Sequence, residues 1–539
     1  MKKMMTVLIA LALGVSASNG FADPIQITQT PPVTPPAIEN KGVEPDLDEL
    51  LNKALEDLNK AQPGAKPGGQ PGFNLFGLPG GHPEMKLRPE DYQLEFMLQW
   101  QNVMQSYWEA EKLGTVIELG KKYNGKVRNQ EQLDTALAEL ATAVNDRWTS
   151  YQSGKQMLDV MAAIKEGKRD PGLYLIRDAK GNFKVDFIKF QSPAYNSRLR
   201  RGDSVTKLNG ESIKGLTDAQ VDSKMLTKVG ESVKVTYVED GKEKEETIVM
   251  SVTKKDQLDV RLVNGNVGYI RIPSLSDEDI SMEVLVGLMM LEEDHGAKSV
   301  KGLVLDLRSN PGGIVQSTIT LASVFAGSGP VSHVSTRKGL TVQKTTYEVR
   351  ELPSFATKDM PAEAKEFVNL LKKKPMVILV DECTMSAAEL LTGALKDNGR
   401  AVVVGNTTFG KGQVLFEEEV LGGGSFTITS GRYFTPKGTD VTDTGISPHV
   451  QATRPRGSDK DGQLETALAE LQKLIDGTTT VAQFDDGKPA IANGVPTPAV
   501  LKADSSSSTN WALVTTVGVF AFLAGGAVIF FFTRRQSAK

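Results

Sequence analysis

The sequence predicts a multi-domain α/β protein, and three stretches of different pattern lead to that prediction. From residue 264 onward, apolar runs of strand length alternate with helical stretches, which is typical of an α/β core. Ahead of this core, residues 172–252 form a series of short strand-like runs separated by turn residues. From Asp91 to Asp146 the apolar spacing is helical, with one set at Leu133, Leu137, Leu140 and Val144.

The N-terminus of the chain predicts export from the cytoplasm. Two lysines precede the apolar run 6–15, and small residues follow it up to Ala22. This is the pattern of a secretory signal peptide over residues 1–22, with cleavage after Ala22. Residues 23–85 are rich in proline, glycine and glutamine, so we expect a disordered linker there.

A second hydrophobic segment lies near the C-terminus. Residues 511–532 contain no charged residue and are long enough to span a bilayer, which takes about 20 residues. We therefore expect a C-terminal transmembrane helix over residues 511–533, joined to the core by a flexible stalk at 477–510. The basic tail 534–539 would lie in the cytoplasm, with the rest of the chain in the periplasm or outside the cell. A buried core helix and a removable sorting signal are the alternatives.

Composition excludes several classes of function. The formal net charge is −4, so no basic excess points to nucleic acid as a partner. The sequence contains one cysteine, Cys383, which rules out an internal disulfide. The four histidines show no metal-ligand spacing, so we expect neither a metal nor another cofactor.

The strongest candidates for chemistry are Ser386 and Lys411. Ser386 follows the apolar run 376–380 and directly precedes a stretch rich in alanine and leucine that is typical of a helix. A hydroxyl there lies at the positive end of a helix dipole, which favours negative charge developing on a substrate carbonyl oxygen. Lys411 is flanked by Gly410 and Gly412 and could serve as the base. The two residues are 25 positions apart, so they must meet in space.

The same stretches also have purely structural interpretations. Ser386 and Glu389 form a capping box, which taken alone is the more common role for such a serine. Residues 303–313 read as a buried strand that ends in a Pro-Gly-Gly turn. Such a turn can aim backbone N–H groups at a ligand, as an oxyanion hole requires, or can simply connect a strand to a helix.

Together these motifs resemble the carboxyl-terminal processing peptidases, also called tail-specific proteases. The matching stretches occur in the order found in that family, and the resemblance covers roughly residues 93–450. It implies an α/β serine protease core that uses a Ser/Lys dyad and carries an inserted, mainly-β PDZ domain. The matching stretches are 268–273, 306–313, 384–389, 404–412 and 431–438.

The resemblance implies that Ser386 is the nucleophile and Lys411 its general base. Lysine accepts a proton only when it is neutral, so its pKa must fall well below about 10.4, and burial has that effect. The oxyanion donors would be the N–H of Ala387 and one N–H of Gly312 and Gly313, with Gly313 preferred. We expect the glycines on either side of the lysine to let the backbone pass close to the serine.

The chain departs from the family pattern at one position. A glutamine usually stands four residues after the catalytic lysine and helps to orient it, but Leu415 occupies that position here. Gln413 lies two residues after Lys411 and would share a strand face with it, so we expect Gln413 to orient the lysine. The departure motivates an alternative, a non-catalytic scaffold that binds protein tails.

Residues 191–210 look like the central stretch of a PDZ domain, with a short helix, an Arg-Gly-Asp turn, an alternating strand and an Asn-Gly turn. Gly172, Leu173 and Leu175 would then form the edge strand and carboxylate loop that bind substrate. Backbone N–H groups of such a loop hold a peptide's C-terminal carboxylate while the peptide adds to the sheet as a strand. A small β domain without a ligand is the alternative.

Other chemistries find less support in the sequence. A Ser/His/Asp triad would need one of four histidines that no local pattern marks, and a cysteine nucleophile at Cys383 has no histidine nearby. An acyl transferase built on the same dyad is a further alternative, because an amine can attack an acyl-enzyme instead of water. The histidines are His82, His295, His333 and His449.

The function expected from the sequence is that of a membrane-anchored, extracytoplasmic serine endopeptidase. It would cleave unfolded or tail-bearing proteins near their C-termini, while the PDZ domain recruits tails or gates the site. Between the terminal segments we expect an N-terminal helical segment at 86–166, a PDZ domain at 167–255 and a serine protease core at 256–476.

Overall fold

The computed structural model describes the part of the chain that follows the predicted linker. The predicted signal peptide, linker, transmembrane helix and tail, with most of the predicted stalk, lie outside the described residues. Within the described part, no helix is both long and apolar enough to cross a membrane. The described residues are 87–484, except 179, 252–256, 278, 297–298, 340, 350–361 and 457–459.

Helices dominate the first unit. Its elements are α1 (Pro89–Ser106), a 3-10 turn (Ala110–Lys112), α2 (Gly114–Tyr123), α3 (Gln130–Ala143), β1 (Ser150–Gln152) and α4 (Gly154–Lys165). Leu133, Leu137 and Leu140 on α3 are fully buried, which confirms the helical spacing read from the sequence. They share a core with Phe96 of α1 and with Phe426, which comes from a much later strand.

A small antiparallel β domain follows. Its elements are β2 (Lys168–Arg169), β3 (Leu173–Arg177), β4 (Phe183–Ile188), β5 (Ser204–Leu208), β6 (Glu211–Ser212), α5 (Asp218–Met225), β7 (Thr227–Lys228), β8 (Ser232–Glu239) and β9 (Lys242–Val249). The main sheet has the order β3-β4-β5-β8-β9, so β3 is an edge strand. Leu173, Val205 and Val235 form its core together with Val221 of α5.

The third unit contains the remaining described elements. In chain order they are β10 (Asp259–Val263), β11 (Val267–Arg271), α6 (Ile280–His295), β12 (Gly302–Asp306), α7 (Val315–Phe325), β13 (Pro330–Lys338), β14 (Thr341–Glu348), α8 (Ala362–Leu371), β15 (Met376–Val380), α9 (Ala387–Asp397), β16 (Val402–Gly405), β17 (Gln413–Val420), β18 (Gly424–Phe434), β19 (Val450–Gln451), α10 (Gly462–Ile475) and a final 3-10 turn (Val481–Phe484).

A mostly parallel sheet forms the centre of this unit. Strands β11, β12, β15, β16 and β19 pair in parallel, and β10 is antiparallel to β11. On β12, Leu303 and Leu305 pack with α6, α7 and α9, whereas Val304 packs with α10. A parallel sheet covered on both faces requires continuous apolar strands, which accounts for the apolar runs in the sequence. The loops after β12, β15 and β16 leave the same edge of the sheet and can meet there.

A second, antiparallel sheet joins this core to the N-terminal helices. It contains β1, β13, β14, β17 and β18, and β18 pairs with β1, β13 and β17. Phe426 and Ile428 of β18 pack against the N-terminal helices, and the far end of the same strand carries Tyr433. The described part of the chain is therefore a mixed α/β, multi-domain structure, as the sequence predicts.

Candidate active site

Ser386 lies in the turn between β15 and α9. Its backbone has φ +56° and ψ −124°, a conformation that residues other than glycine rarely adopt and that costs about 1–3 kcal/mol. Because α9 begins at the next residue, Ser386 occupies the N-cap position that the sequence indicated. Backbone strain of this kind persists only where the surrounding contacts enforce it.

The loop after β12 packs directly against this turn. The Met385 N–H donates to the Asn310 carbonyl oxygen at 2.9 Å. A Cβ atom on Gly312 would lie 2.8 Å from both the Ser386 Cβ and the Ala387 nitrogen. Glycine is needed at position 312 for this approach, and its φ of +90° also favours glycine.

The backbone donors at this junction differ in how they are used. The Gly312 N–H donates to the Asn310 Oδ1 at 2.8 Å and is therefore occupied. The N–H groups of Gly313 and Ala387 have no hydrogen-bond acceptor among the described residues. This difference favours Gly313 and Ala387 over Gly312 as the pair that could bind a carbonyl oxyanion.

Lys411 lies in the loop between β16 and β17. Its Nζ is 4.4 Å from the centroid of the Trp148 ring, on which the Arg147 guanidinium also stacks at 4.5 Å. Burial lowers the pKa of Lys411 below its usual value, the positive charge of Arg147 lowers it further, and Glu389 opposes the shift. The environment thus favours the neutral amine that a general base requires. No hydrogen bond between the side chains of Lys411 and Ser386 is among those described.

The fully buried Glu389 carboxylate joins the serine turn to the lysine loop. Its Oε2 accepts the N–H of Ser386 at 2.9 Å and the N–H of Lys411 at 2.8 Å. Its Oε1 accepts the Gly410 N–H at 2.7 Å and the Thr408 hydroxyl at 2.6 Å. Burial raises the pKa of Glu389, and these hydrogen bonds oppose the rise. The glutamate of the predicted capping box therefore also positions the lysine loop, so the structural and functional interpretations hold together.

A second buried group, the Tyr433 hydroxyl, connects the same two residues. It lies 3.0 Å from the Ser386 carbonyl oxygen and 2.7 Å from the Lys411 carbonyl oxygen. A hydroxyl carries one proton, so it donates to one of these carbonyls at a time. Burial raises the pKa of Tyr433, which keeps the hydroxyl protonated and able to donate.

The residues that flank Lys411 differ from expectation in two respects. β17 begins at Gln413, so Lys411 precedes the strand and strand alternation does not place both side chains on one face. The Gln413 Oε1 is buried without a hydrogen-bond partner in the described part of the chain, and a role in orienting the lysine stays a prediction. A Cβ atom on either Gly410 or Gly412 would meet the segment 441–443, which requires glycine at both positions, and passage of this backbone close to the serine stays a prediction.

The histidine and cysteine alternatives gain no support from the geometry. His333 and His449 each have ring nitrogens within 2.9–3.2 Å of a threonine hydroxyl or of backbone groups. None of the described hydrogen bonds links either ring to Ser386. Cys383 is buried, its Sγ accepts the Ile188 N–H at 3.3 Å, and burial raises the pKa of its thiol, which disfavours the thiolate.

The predicted tail-binding residues lie at the open edge of the β domain. Gly172, with φ +74°, leads into β3, where Leu173 is fully buried and Leu175 pairs with β4. The Gly172 N–H donates to the Asp170 Oδ1 at 2.8 Å. That donor is therefore occupied, and it could bind a peptide carboxylate only after this bond opens.

The β domain also contacts both loops of the candidate site. Besides the bond from Ile188 to Cys383, the Arg201 guanidinium donates to the Phe409 carbonyl at 3.1 Å and lies 3.6 Å from the centroid of that ring. Arg201 shares Asp186 with Arg147, which reaches over from the N-terminal unit. The contacted residues, Cys383 and Phe409, lie within three positions of Ser386 or Lys411. A movement of the β domain would therefore displace the loops of the site.

Comparison with known protein families identifies two of the units. Residues 266–452 match the model of peptidase family S41, and residues 172–249 match that of the PDZ domain. The chain contains a domain of peptidase family S41. The β domain is accordingly a PDZ domain, and the unit built on the parallel sheet is the S41 peptidase domain.

Similar proteins place this S41 chain among serine-type, carboxyl-terminal processing proteases. It is 28% identical over 352 residues to the carboxy-terminal processing protease CtpA of Bacillus subtilis, covering 63% of this chain and 67% of that protein. It is 27% identical over 379 residues to the carboxyl-terminal-processing protease of Synechocystis sp., covering 68% and 82%. A probable CtpA-like serine protease of Staphylococcus aureus is 32% identical over 315 residues, covering 54% and 58%.

A solved structure shows the same fold. The photosystem II D1 C-terminal processing protease superposes on this S41 chain with a TM-score of 0.53 and 22% sequence identity, covering 69% of this chain and 99% of that one. The superposition shows that the two chains share a fold. A peptidase domain with a PDZ domain acts on protein substrates.

Four residues of the S41 site were missed, or were given a smaller role, by sequence reasoning. Arg147 and Trp148 approach Lys411 from the N-terminal unit, and no sequence signal marks them. Tyr433 lies in a motif that carries the family resemblance, yet nothing in that motif shows that its hydroxyl reaches two loops. Glu389 was recognised only as a cap, because its partners Thr408, Gly410 and Lys411 are remote in sequence.

Proposed function

We propose that this S41 peptidase cleaves protein substrates near their C-termini with Ser386 as nucleophile and Lys411 as general base. The observation that carries the proposal is the Glu389 carboxylate, one oxygen of which accepts the N–H groups of both residues. A nucleophile and a base that stand 25 residues apart in sequence need such a fixed connection to react as a unit. The lowered pKa of Lys411 supports its role as a base.

In the proposed cycle, the neutral Lys411 amine takes the hydroxyl proton as the Ser386 oxygen attacks the scissile carbonyl carbon. The oxyanion accepts hydrogen bonds from the N–H groups of Gly313 and Ala387. When the C–N bond breaks, the lysine ammonium gives its proton to the leaving amine, and an acyl ester remains on Ser386. Water then attacks the ester and passes a proton to Lys411, which returns it to the serine oxygen.

The PDZ domain is proposed to serve this reaction by binding the substrate tail or by gating the site. The open edge of β3 supports tail binding, because a peptide could add there as a strand beside Gly172, Leu173 and Leu175. The contacts of Ile188 and Arg201 with the two catalytic loops support gating.

We further propose that the peptidase acts outside the cytoplasm and is anchored by residues 511–533. The signal pattern at 1–22, the uncharged run and the basic tail support this proposal. The full chain should then stay with membranes during alkaline carbonate extraction, whereas a chain truncated after residue 510 should be released. Equal release of both would contradict the anchor.

The experiment that tests the catalytic proposal uses the detergent-solubilised full chain and its Ser386→Ala variant. An unfolded protein substrate should be cleaved by the first and not by the second, with both folded by circular dichroism. Peptides with free or amidated C-termini then test the PDZ proposal, because tail recognition requires a preference for the free carboxylate. Cleavage of both peptides at equal rates would contradict tail recognition, and normal turnover by Ser386→Ala would contradict the dyad.

A further inference from the structure

The Asp381 carboxylate lies between the two loops that supply the candidate oxyanion donors. It is 7% exposed, and its Oδ1 accepts the N–H of Ser309 at 2.8 Å and the N–H of Cys383 at 3.0 Å. Its Oδ2 accepts the Ser309 hydroxyl at 3.1 Å. Ser309 starts the loop that ends in Gly313, whereas Cys383 belongs to the turn that ends in Ser386. One carboxylate therefore binds both loops at their bases.

The two loops must keep a fixed separation for the proposed chemistry. The N–H of Gly313 comes from one loop and that of Ala387 from the other, and both must point at the same substrate oxygen. Ser309 has φ +51°, a left-handed conformation that a serine adopts only when its surroundings enforce it. The bonds from its N–H and hydroxyl to Asp381 supply that enforcement.

We propose that the ionised Asp381 carboxylate is a positioning residue that aligns the two oxyanion donors, and that its protonation switches turnover off in mildly acidic surroundings. The inference rests on the proposed roles of Ser386 and Lys411 and adds a pH control to the same site. The Asp381 Oδ1 also accepts the Thr384 hydroxyl at 3.2 Å, which makes four hydrogen bonds to the carboxylate. A protonated carboxyl carries a donor on one oxygen, so it can no longer accept all four. The loops then shift relative to each other, and the oxyanion loses a donor.

The surroundings of Asp381 bring its pKa into the mildly acidic range that the proposed pH control requires. Burial raises the pKa of Asp381 to about 6, the neighbouring Glu382 charge adds to the rise, and the N–H groups of Ser309 and Cys383 and the Arg308 charge oppose it. A cavity of about 260 Å³ borders the carboxyl group and gives it contact with solvent. The charged or titratable groups that face it are Glu382, Cys383, Arg308, Tyr195, Arg200, Arg454 and Arg456.

The test compares the pH dependence of turnover in the wild-type full chain and in Asp381→Asn. Asparagine has the hydrogen-bond pattern of the protonated carboxyl, with one acceptor oxygen for the two N–H groups and a donor facing the Ser309 hydroxyl, and it does not titrate. Asp381→Asn should therefore have a lowered kcat at every pH and lack the step that comes from Asp381. In the wild type, kcat should fall as the pH decreases, first when Lys411 is protonated and again when Asp381 is protonated below pH 6. Between pH 8 and pH 5, which is one unit below the pKa of Asp381, the kcat of the wild type should fall about tenfold more than the kcat of Asp381→Asn falls over the same range.

Ser309→Ala provides a second, independent arm. Removal of the hydroxyl that donates to the charged carboxylate should raise the pKa of Asp381 and move the second step to higher pH. A peptide substrate without titratable groups excludes effects on the substrate, and thermal unfolding at pH 5 and pH 8 checks the fold of each variant. If Asp381→Asn does not fold, the Ser309→Ala profile alone decides.

The outcomes separate this inference from the proposed function. Parallel profiles of the wild type and Asp381→Asn down to pH 5, or an unmoved second step in Ser309→Ala, would overturn the role of Asp381. Normal turnover by Ser386→Ala would instead overturn the dyad. A loss at low pH that appears in KM and not in kcat would also overturn the inference, because an aligned oxyanion hole acts in the transition state.

Discussion

Replacement of Glu389 by glutamine or by alanine tests the contributions of its charge and of its hydrogen bonds separately. In Glu389→Gln, the amide oxygen can still accept the N–H groups of Ser386 and Lys411, and the NH2 group can donate to the Thr408 hydroxyl. The Gly410 N–H then faces an NH2 group and loses its acceptor. A buried donor left without an acceptor costs about 1–3 kcal/mol, and removal of a buried charge offsets part of that cost.

The same substitution should change the pH profile in a defined direction. The negative charge of Glu389 raises the pKa of Lys411, so its removal should lower that pKa and shift the alkaline rise of activity to lower pH. Tyr433→Phe is the matched control, because it removes the other connection between the two loops without a change in charge. It should lower kcat and leave the midpoint of the rise in place.

In Glu389→Ala all four donors lose their acceptor, and the loops of Ser386 and Lys411 lose their common connection. A displacement of about 1 Å can cost about a hundredfold in rate, so we expect at least that loss in kcat. Urea unfolding and peptide turnover between pH 6 and pH 10 measure both effects. Wild-type stability and turnover in Glu389→Ala, or an unshifted midpoint in Glu389→Gln, would refute the role assigned to this carboxylate.

Three further tests address other parts of the site. Lys411→Arg keeps a positive charge that does not deprotonate, so turnover should vanish in a protein that unfolds at the wild-type urea concentration; retained activity would assign the base elsewhere. If Gln413 orients the lysine, Gln413→Ala should lower kcat at unchanged stability, and Leu415→Gln should have little effect. If Gln413→Ala leaves kcat unchanged and Leu415→Gln raises it strongly, the wild-type protein is an enzyme weakened by Leu415. Gly312→Ala would place its Cβ 2.8 Å from the Ser386 Cβ and should abolish turnover. In Gly327→Ala the added Cβ meets no atom of the described residues within 4 Å, so this control should be neutral in the same peptide assay.

The parts of the site that sequence predicts are those encoded by neighbouring residues. An apolar strand, a serine and a helical stretch identify Ser386, and paired glycines mark the loops of Gly313 and Lys411. Contacts between segments that are remote in sequence leave no local sequence pattern. The Tyr433 hydroxyl contacts the loops of Ser386 and Lys411 because β18 pairs with β17, and that pairing is a feature of the tertiary fold.

The differences from expectation have equally physical causes. The alternation argument for Gln413 assumed a strand that already included Lys411, but β17 begins two residues later. The glycines beside the lysine suggest a close approach to the serine because both residues belong to the proposed chemistry. Their close neighbours are instead residues 441–443, a turn that is remote in sequence. Fold class was easier to predict, since burial on both faces of the parallel strands makes them apolar throughout.

The central claim, that a neutral Lys411 activates Ser386, is tested most directly by covalent labelling. A fluorophosphonate probe is added to the full chain at a series of pH values, and the labelled peptide is identified by mass spectrometry. The label should appear on Ser386, at a rate that rises with pH through one ionisation below the usual lysine pKa, and should be absent from folded Lys411→Met. Labelling of Lys411→Met at the wild-type rate, or attachment to another residue, would contradict the claim.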